Sequence, residues 1–326
     1  MTHQHVSSIA IIGAGIAGLT CASALAESGF AVRIFEKSRG IGGRIATRRT
    51  ANGLQFDHGA QYFTAQTPAF QVFVSEHLIA GNLAHWCPRG QPQLTRGDWL
   101  VGTPSMNAFL KPLGLKLKVE LNRHVSDISP ANGGWSLSFT GEETQETFDA
   151  VVVTAPAPQA QTLTTSSPLL QKRLDLVEMA PCWALMLAAD TSGSAVASIM
   201  DAPHPDIAWM ARDASKPGRA GPTETWVVHA STAYSRQHLE ASPEAVTAHL
   251  QAIALPLAGL PESALAHSAV HRWRYARTLQ PAATPFLSDE SGTLLAAGDW
   301  CLGARVESAF ESGRAAADFL ASRLAR

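Results

Sequence analysis

The sequence predicts an α/β fold in which a parallel-sheet domain is joined to a second domain built on a mixed or antiparallel sheet. Three observations support this prediction. The first forty residues have the pattern of a βαβ unit, with apolar runs at Ser8 to Ile12 and Ala31 to Phe35 around a helical stretch. The middle of the chain holds strand-like segments that do not alternate with helices. Near the C-terminus, a strand at Thr293 to Ala297 and an alanine-rich helix at Glu307 to Arg326 return to the first domain.

The remaining elements follow from local periodicity. Val151 to Val153 is a continuous apolar run, as expected of a strand that is buried on both faces of a parallel sheet. Alternation predicts further strands at Lys116–Asp127, Trp135–Phe139, Thr147–Thr154, Trp183–Ala189, Ile207–Arg212, Thr225–Ala230 and Ala266–Tyr275. Helices are predicted from Leu19 onward, at Ala69–Ala80, within Trp99–Leu113, at Pro168–Met179 and at Pro243–Leu257.

Composition limits the classes of function. The chain has 326 residues, enough for two domains, with 46% hydrophobic residues, 16% charged residues and a net charge of -2. This balance predicts no nucleic-acid partner and no attraction to an anionic membrane. We find no run of roughly 18 apolar residues and no signal-peptide pattern at Met1 to His5, so we expect a cytoplasmic protein. The four cysteines are scattered, which predicts free thiols and no metal site.

A glycine motif gives the first indication of chemistry. Gly13, Gly15 and Gly18 form GxGxxG directly between the first strand and the first helix. In a Rossmann-type unit these glycines permit a tight turn, the approach of a pyrophosphate and close packing of helix on strand. Glu36 ends the second strand, where a carboxylate accepts hydrogen bonds from a ribose hydroxyl. The pattern predicts a dinucleotide site.

Three further motifs indicate that the dinucleotide is FAD. A second glycine doublet before Arg44 is typical of the FAD families related to glutathione reductase and the amine oxidases. Thr154-Ala155-Pro156 resembles the turn that these families place beneath the flavin, and Gly298-Asp299 resembles their C-terminal motif, whose Asp meets the ribityl chain. The helix that begins near Arg305 would direct its dipole toward the flavin pyrimidine. The predicted residues for non-covalent FAD binding are Gly13, Gly15, Ile16, Ala17, Gly18, Glu36, Lys37, Arg39, Gly43, Arg44, Ala60, Gln61, Val125, Thr154, Ala155, Pro156, Gly298, Asp299, Arg305, Val306, Glu307 and Ala309.

The motifs together resemble the bacterial renalases over nearly the whole chain. The segments that carry the resemblance are Phe35–Gly40 (FEKSRG), Gly42–Arg44 (GGR), Asp57–Thr64 (DHGAQYFT), Thr154–Gln159 (TAPAPQ), Trp226–Ala230 (WVVHA), His271–Arg277 (HRWRYAR) and Gly298–Glu307 (GDWCLGARVE). Together with the order of the predicted elements, this leads us to expect an FAD-binding domain over 1–60, 100–158 and 288–326, and a substrate-binding cap over 61–99 and 159–287.

The resemblance also implies an activity. Renalases oxidise isomers of NAD(P)H that carry the hydride on C2 or C6 of the nicotinamide ring, with transfer to flavin N5 and reduction of O2 to H2O2. Flavin amine oxidases commonly hold a lysine near N5. Of the six lysines here, only Lys172 and Lys216 fall in the predicted cap, one in a polar helical stretch and one in a Lys-Pro-Gly turn. Neither is predicted on a strand that faces the flavin, which favours the renalase activity. Cys301 is expected to be a small packing residue rather than a covalent flavin link.

Strand alternation suggests the residues that position the substrate. His271, Trp273 and Tyr275 share one face of a strand and Arg272 and Arg274 share the other, while Thr225, Val227 and His229 share a face of another strand. Gln61 and Tyr62 follow a glycine on the FAD side. Because hydride transfer depends on alignment more than on proton transfer, we assign positioning roles to Gln61, Tyr62, His229 and Trp273. Trp183 and Trp209 are expected in the core, and the two arginines face either solvent or substrate phosphates.

Rival hypotheses remain open at this point. A flavin amine oxidase or a related desaturase would share the fold, and a flavin-binding redox sensor without turnover would share the cofactor. A nicotinamide dehydrogenase is the weakest of these alternatives because of the second glycine doublet. The preferred isomer, NADH against NADPH forms, the physiological acceptor and the oligomeric state do not follow from the sequence.

Overall fold

A computed structural model describes residues 6–89, 99–190, 197–219, 221 and 223–325. The chain forms two compact units. Unit 1 comprises Met1–Gly43, Leu110–Met179 and Thr278–Arg326, and unit 2 comprises Arg44–Phe109 and Ala180–Arg277.

These units divide the chain differently from the predicted domains. Residues 44–60 and 100–109, predicted in the FAD-binding domain, belong to unit 2. Residues 159–179 and 278–287, predicted in the cap, belong to unit 1. The shift moves the segment that contains Asp57 and His58 into the same unit as His229 and Trp273.

The elements are numbered in chain order. The strands are β1 (Ser8–Ile12), β2 (Ala31–Phe35), β3 (Arg48–Arg49), β4 (Gln55–Phe56), β5 (Leu83–His85), β6 (Leu100–Gly102), β7 (Val119–Glu120), β8 (Val125–Ala131), β9 (Gly134–Phe139), β10 (Glu146–Phe148), β11 (Ala150–Val153), β12 (Glu178–Ala189), β13 (Ile199–His204), β14 (Ile207–Arg212), β15 (Glu224–Ala230), β16 (Leu265–Gln280), β17 (Leu287–Ser288) and β18 (Leu294–Ala296). The helices are α1 (Ile16–Glu27), α2 (Pro68–Ile79), α3 (Lys111–Lys116), α4 (Ala157–Leu163), α5 (Pro168–Leu174), α6 (Thr232–Gln237), α7 (Pro243–Ala258), α8 (Asp299–Leu302) and α9 (Val306–Leu324).

Unit 1 is built on a six-stranded sheet in the order β17-β18-β11-β1-β2-β7. All pairings are parallel except that of the edge strand β17 with β18. Ala10, Ile12 and Val153 belong to a core cluster with residues of the small antiparallel sheet β10-β9-β8. The alternate residues Ile11 and Val152 are also fully buried, so both faces of the sheet are covered, as its continuous apolar strands predict.

Unit 2 is built on a five-stranded sheet in the order β13-β14-β15-β12-β16, and its pairings β13–β14, β14–β15 and β15–β12 are antiparallel. One face packs through Trp226 and Val228 into a core that includes Val246 and Leu250 of α7. The opposite face carries Val227, which packs with Met186 and with Phe56 of β4. The sheet therefore turns His229, two residues after Val227, toward the segment that follows β4.

The predicted α/β fold class is confirmed, and several predicted elements keep their bounds or nearly so. Differences arise where tertiary context overrides the local pattern. The helix predicted to reach Met179 ends at Leu174, because the chain joins strand β12 from Glu178. The strand predicted over 147–154 is interrupted at Asp149, whose carboxylate accepts hydrogen bonds from the backbone N and Oγ of Ser8 at 2.7 and 2.9 Å.

Two other sequence predictions differ for local reasons. The strand predicted over 116–127 divides into β7 and the start of β8, since Asn122 has φ of +56°. Strand β13 was not predicted because it contains Pro203, which is unfavourable within a sheet. Proline is tolerated here because β13 lies at the edge of the sheet and its pairing with β14 has an irregular register. The last residue of the predicted C-terminal helix, Arg326, lies outside the described residues.

Helix α9 packs directly against α1. Phe310, Gly313, Ala317 and Leu320 are buried along one side of α9, as the sequence predicts. A Cβ atom added to Gly313 would overlap the carbonyl oxygen of Ala17 in α1. Glycine is therefore required where the two helix backbones approach.

We expect Gly313→Ala to destabilise unit 1, because the added methyl group has to push the backbone of α1 away. Overpacking of this kind costs about 1–3 kcal/mol or more. Chemical unfolding at constant pH measures the loss. Arg314→Ala, at the exposed neighbouring position, is the control and should change stability by no more than about 0.5 kcal/mol. Equal stability of Gly313→Ala and wild type would contradict this account of the packing.

Candidate functional site

The glycine-rich turn after β1 is fixed by the end of β11. Gly13 has φ of +105°, a conformation that favours glycine, and its N–H donates to the Phe35 carbonyl at 2.9 Å. Thr154 Oγ1 lies 2.9 and 3.1 Å from the carbonyl oxygens of Ile12 and Gly13. A Cβ on Gly18 would overlap the Gly13 carbonyl oxygen, whereas no atom lies within 4 Å of a Cβ built on Gly15. Protein atoms therefore pack against the turn at Gly13 and Gly18, whereas the space beside Gly15 is open.

Glu36 holds the second strand end against this turn. Its carboxylate is buried, and it accepts hydrogen bonds from the backbone N–H groups of Ala14 and Ser38, both at 2.8 Å. The Gly42 N–H donates to the Ala14 carbonyl at 2.8 Å, which lays the second glycine doublet beside the first turn. Because each carboxylate oxygen has a further lone pair, Glu36 can still accept from a ligand hydroxyl.

The C-terminal motif meets the end of β11. Trp300 Nε1 donates to the Ala155 carbonyl at 3.0 Å, and the Gly298 N–H donates to Ser312 Oγ at 2.9 Å. Asp299 is buried, and its Oδ2 accepts a hydrogen bond from Thr278 Oγ1 at 3.1 Å. Cys301 is fully buried in the unit 1 core, and burial raises the pKa of its thiol to about 12. It fills space there as an un-ionised thiol.

The other predicted cofactor residues are divided between the units. Lys37 is exposed, and its Nζ donates to Gln159 Oε1 at 3.2 Å. Val125 lies in the unit 1 core, which packs it against apolar neighbours. Those in unit 1 are Ile16, Ala17, Arg39, Gly43, Pro156, Arg305, Val306, Glu307 and Ala309, and those in unit 2 are Arg44, Ala60 and Gln61.

In unit 2, the backbone carbonyl of His58 brings together two of the four predicted positioning residues, His229 and Trp273. The carbonyl oxygen of His58 lies 3.3 Å from His229 Nε2 and accepts a hydrogen bond from Trp273 Nε1 at 3.0 Å. The His58 ring stacks on Trp273 at 5.1 Å and meets the edge of His271 at 4.8 Å between centroids. His271 and Trp273 share a face of β16, as predicted, with their rings 4.4 Å apart. We call His58, His229, His271 and Trp273 the histidine–indole group.

Burial keeps the histidines of this group neutral. Burial lowers the pKa of His58 to about 3, and the neighbouring His271 and Arg48 lower it further. Burial lowers the pKa of His229 to about 4, although its hydrogen bond to the His58 backbone opposes the shift. The pKa of His271 is also lowered, by burial and by Arg48. The group therefore presents uncharged imidazoles at neutral pH.

Tyr62 belongs to a separate aromatic stack. Its ring lies parallel to Trp99, with centroids 3.8 Å apart and planes inclined by 7°. Trp209 is tilted against both rings at 5.8 and 5.9 Å. Trp183 lies in the core, as expected, but Trp209 joins this stack and is only partly buried. Burial raises the pKa of the Tyr62 phenol, and Asp201 raises it further.

Gln61 contacts a buried ionic cluster that sequence reasoning missed. Gln61 Nε2 donates to the carbonyl oxygens of Asp57 and Gly59, and Gln61 Oε1 accepts from Lys216 Nζ at 3.2 Å. The turn predicted at Lys216 is present, but the side chain is fully buried and pairs with Asp213 and Asp57. The only sequence feature that could have indicated this cluster is the unusual density of charge at Asp213, Lys216 and Arg219.

Arg272 and Arg274 face a different surface. Both guanidinium groups pair with Glu240, at 3.0 and 2.5 Å, and the Glu240 side chain is 67% exposed. The arginines thus lie on the solvent side of β16, opposite His271 and Trp273.

Two models of protein families match this chain. A family model described as an NAD(P)-binding Rossmann-like domain matches residues 11–76, and the fold of unit 1 agrees with it. A second model, described as flavin containing amine oxidoreductase, matches residues 82–320, which is most of the chain. The chain therefore belongs to the flavin-containing amine oxidoreductase family, and its cofactor is FAD.

Individual relatives are distant. The zeta-carotene-forming phytoene desaturase of Myxococcus xanthus is 45% identical over 51 residues, which is 16% of this chain and 10% of the desaturase. The structure of cyclohexylamine oxidase from Brevibacterium oxydans IH-35A has a TM-score of 0.76 at 13% identity, covering 99% of this chain and 100% of the other. A triple mutant of putrescine oxidase has a TM-score of 0.71 at 13% identity, covering 97% and 99%. At these identities the structural matches show the fold alone.

The residues of unit 1 fit FAD. The N-terminus of α1 has no side-chain cap, Gly15 leaves open space beside it, and Glu36 can accept from a hydroxyl group. These are the donor and acceptor types that a pyrophosphate and a ribose require. Within the described part of the chain, no helix is both long and apolar enough to cross a membrane. Over the same residues, no three His, Cys, Asp or Glu side chains are grouped to hold a metal ion.

The neutral histidines predict a pH dependence of stability. A histidine in the unfolded chain has a pKa of about 6.5. Below this pH, and down to the lower pKa that each histidine has in the folded protein, the unfolded chain binds more protons than the folded one. Stability is present above pH 6.5 and is lost as the pH falls toward about 3 for His58. His58→Phe keeps a ring on Trp273 but cannot titrate. The loss of unfolding free energy from pH 7 to pH 5 should be about 2 kcal/mol smaller in this variant than in wild type.

Chemical unfolding at the two pH values, with FAD held in excess, measures the difference. His58→Asn, which also cannot titrate, should show the same reduced pH dependence even though it loses the ring. Wild-type pH dependence in both variants would mean that His58 is not held neutral by its surroundings.

Proposed function

We propose that this protein is an FAD-dependent oxidase of the renalase type, which converts 2-dihydro and/or 6-dihydro isomers of NAD(P)H to NAD(P)+. When bound, FAD supplies a hydride acceptor at N5 and transfers the electrons to O2, giving H2O2. Gln61, Tyr62, His229 and Trp273 position the dihydronicotinamide ring. The family membership supports the cofactor and the reaction class, and the histidine–indole group supports the substrate.

The observation that carries this proposal is the uncharged character of the histidine–indole group. His229 and Trp273 are both directed to one backbone carbonyl, which fixes the orientation of the two rings. The low pKa values of His58 and His229 keep the imidazoles neutral. A rigid, neutral aromatic surface suits a flat dihydropyridine, whose oxidation needs alignment and no proton transfer.

An amine oxidase is the second candidate. The family model, described as flavin containing amine oxidoreductase, favours it. Lys216 Nζ contacts two carboxylates and the Gln61 amide oxygen. These contacts weigh against its being the lysine that flavin amine oxidases hold near N5.

Anaerobic mixing distinguishes the candidates. Purified protein with bound flavin is mixed in turn with 2-dihydroNAD, 6-dihydroNAD, their phosphorylated forms, NADH and a panel of amines while the visible flavin band is followed. We expect rapid bleaching by a 2- or 6-dihydro isomer and slow or no bleaching by NADH and amines. Bleaching by amines alone would replace the proposed function with amine oxidation. A flavin that none of them reduces would favour a redox sensor.

Variants locate the site. His229→Ala and Tyr62→Phe should each slow flavin reduction by the isomer about tenfold or more, because the ring loses an aligning contact. His249→Ala, a histidine at an exposed position of unit 2, is the matched control and should reduce at the wild-type rate. If both site variants fold, bind FAD and are reduced like wild type, the substrate site lies elsewhere.

A further inference from the structure

Four charged side chains are buried together in unit 2. Lys216 Nζ lies 2.7 Å from Asp213 Oδ1 and 3.5 Å from Asp57 Oδ2. Arg219 donates to Asp57 Oδ2 through Nε and Nη2, at 3.1 and 2.5 Å. The side chains of both aspartates and Lys216 are 0% exposed, and that of Arg219 is 1% exposed. Two carboxylates face two cations. Burial and the neighbouring Asp57 raise the pKa of the Asp213 carboxyl, while Lys216, 2.7 Å away, and Arg219 act against that shift.

Neighbouring backbone and hydroxyl groups donate further hydrogen bonds to the two carboxylates. Asp57 Oδ1 accepts from Thr47 Oγ1 and from the Met106 N–H at 2.6 and 3.0 Å, and Asp213 Oδ2 accepts from the Asp57 N–H at 3.1 Å. Burial works against the charge of Asp57, but Lys216 and Arg219 hold the pKa of its carboxyl below the ordinary value. Buried ion pairs seldom stabilise a fold more than apolar side chains of similar volume would. What such a cluster can do besides stabilising the fold is to hold a neighbouring side chain in one orientation.

That neighbour is the side-chain amide of Gln61. Lysine has only donors, so the group that faces Lys216 Nζ has to be the amide oxygen, 3.2 Å away. The carbonyl oxygens of Gly59 and Asp57 only accept, so the amide nitrogen has to face them. The two requirements agree and leave the amide a single orientation. The same ammonium also lowers the pKa of His229, which places it within electrostatic reach of a second site residue.

We propose that Lys216 is a positioning residue: held by the carboxylates of Asp213 and Asp57, its ammonium fixes the orientation of the Gln61 amide for substrate alignment. This inference rests on the proposed function, in which Gln61 helps to hold the dihydronicotinamide ring. Without Lys216, the amide oxygen loses its donor and the side chain can rotate away from the backbone carbonyls.

The test uses a charge-balanced variant, because Lys216→Met alone leaves a buried carboxylate uncompensated. Lys216→Met combined with Asp213→Asn removes one charge of each sign and keeps the Arg219–Asp57 pair. The matched control is Arg212→Met combined with Glu224→Gln, which removes an ion pair of unit 2 that does not touch Gln61. Each pair is made in the wild-type background and in a Gln61→Leu background, and all proteins are loaded with FAD.

The limiting rate of anaerobic flavin reduction by the dihydro isomer is the first measurement. We expect the Lys216/Asp213 pair to lower this rate about tenfold in the wild-type background and less than about twofold in the Gln61→Leu background. The control pair should leave the rate unchanged in both. An equal loss in the two backgrounds, or no loss in either, would overturn the positioning role.

A second measurement needs no substrate and so separates this inference from the proposed function. Glutamine side chains are labelled with ¹⁵N, and the Gln61 amide resonances are identified by their absence in Gln61→Leu. Exchange of these amide protons with water should be at least about tenfold faster in the Lys216/Asp213 variant than in wild type and unchanged in the control. If no isomer reduces the flavin but the exchange accelerates, the proposed function fails and the fixing of Gln61 by Lys216 stands. Unchanged exchange defeats the inference whatever the substrate is.

Discussion

Backbone atoms in unit 1 approach so closely at Gly18 and Gly313 that a methyl group at either position would overlap a carbonyl oxygen. At Gly13 the same methyl group would meet Thr154 Oγ1 at 2.9 Å. These approaches bring the ends of β1 and β11 and the two long helices α1 and α9 to one place. Any ligand bound at the open Gly15 is therefore presented with N–H groups on a backbone that has little freedom to move.

In unit 2 the comparable constraint is the carbonyl oxygen of His58. Strands β15 and β16 each direct one side chain to it, through His229 and Trp273. The segment 57–62 is held on its other side by Arg44, whose carbonyl accepts from the Ala60 N–H at 2.9 Å and leaves no room for a Cβ at Gly59. Position, rather than side-chain reactivity, is what this arrangement fixes.

Much of unit 1 was predictable because its determinants are local. The GxGxxG turn, the two flanking strands and the inner side of α9 follow from residues that are neighbours in sequence or repeat at helical spacing. The alternation of β16 likewise predicted that His271 and Trp273 share a face. Lys216 could not be placed in this way. It looks like a solvated turn lysine, and only the fold brings Asp57, 159 residues earlier in the chain, within 3.5 Å of it.

The division of the chain also depended on long-range contacts. Residues 44–60 follow directly on the glycine doublet, so the local pattern assigns them to the nucleotide domain. Phe56 instead packs with Met186 and Val227, residues more than a hundred positions later. Local periodicity shows that a residue is apolar but not which sheet will cover it, so it could not indicate that Phe56 packs against the sheet of unit 2.

The electrostatics of unit 2 fit the proposed reaction in a particular way. A dihydronicotinamide ring is uncharged before hydride transfer and becomes a pyridinium cation afterwards, so positive charge develops beside whatever holds the ring. Protonated histidines in that position would oppose the reaction.

Burial prevents the protonation of these histidines, and Lys216 disfavours it further at His229. The carboxylates of Asp213 and Asp57 lie beside the ammonium and reduce the effect of its charge on the ring. Lys216 thus helps to keep the His229 imidazole neutral. Neutral imidazoles together with an indole face can accept a cation as their neighbour.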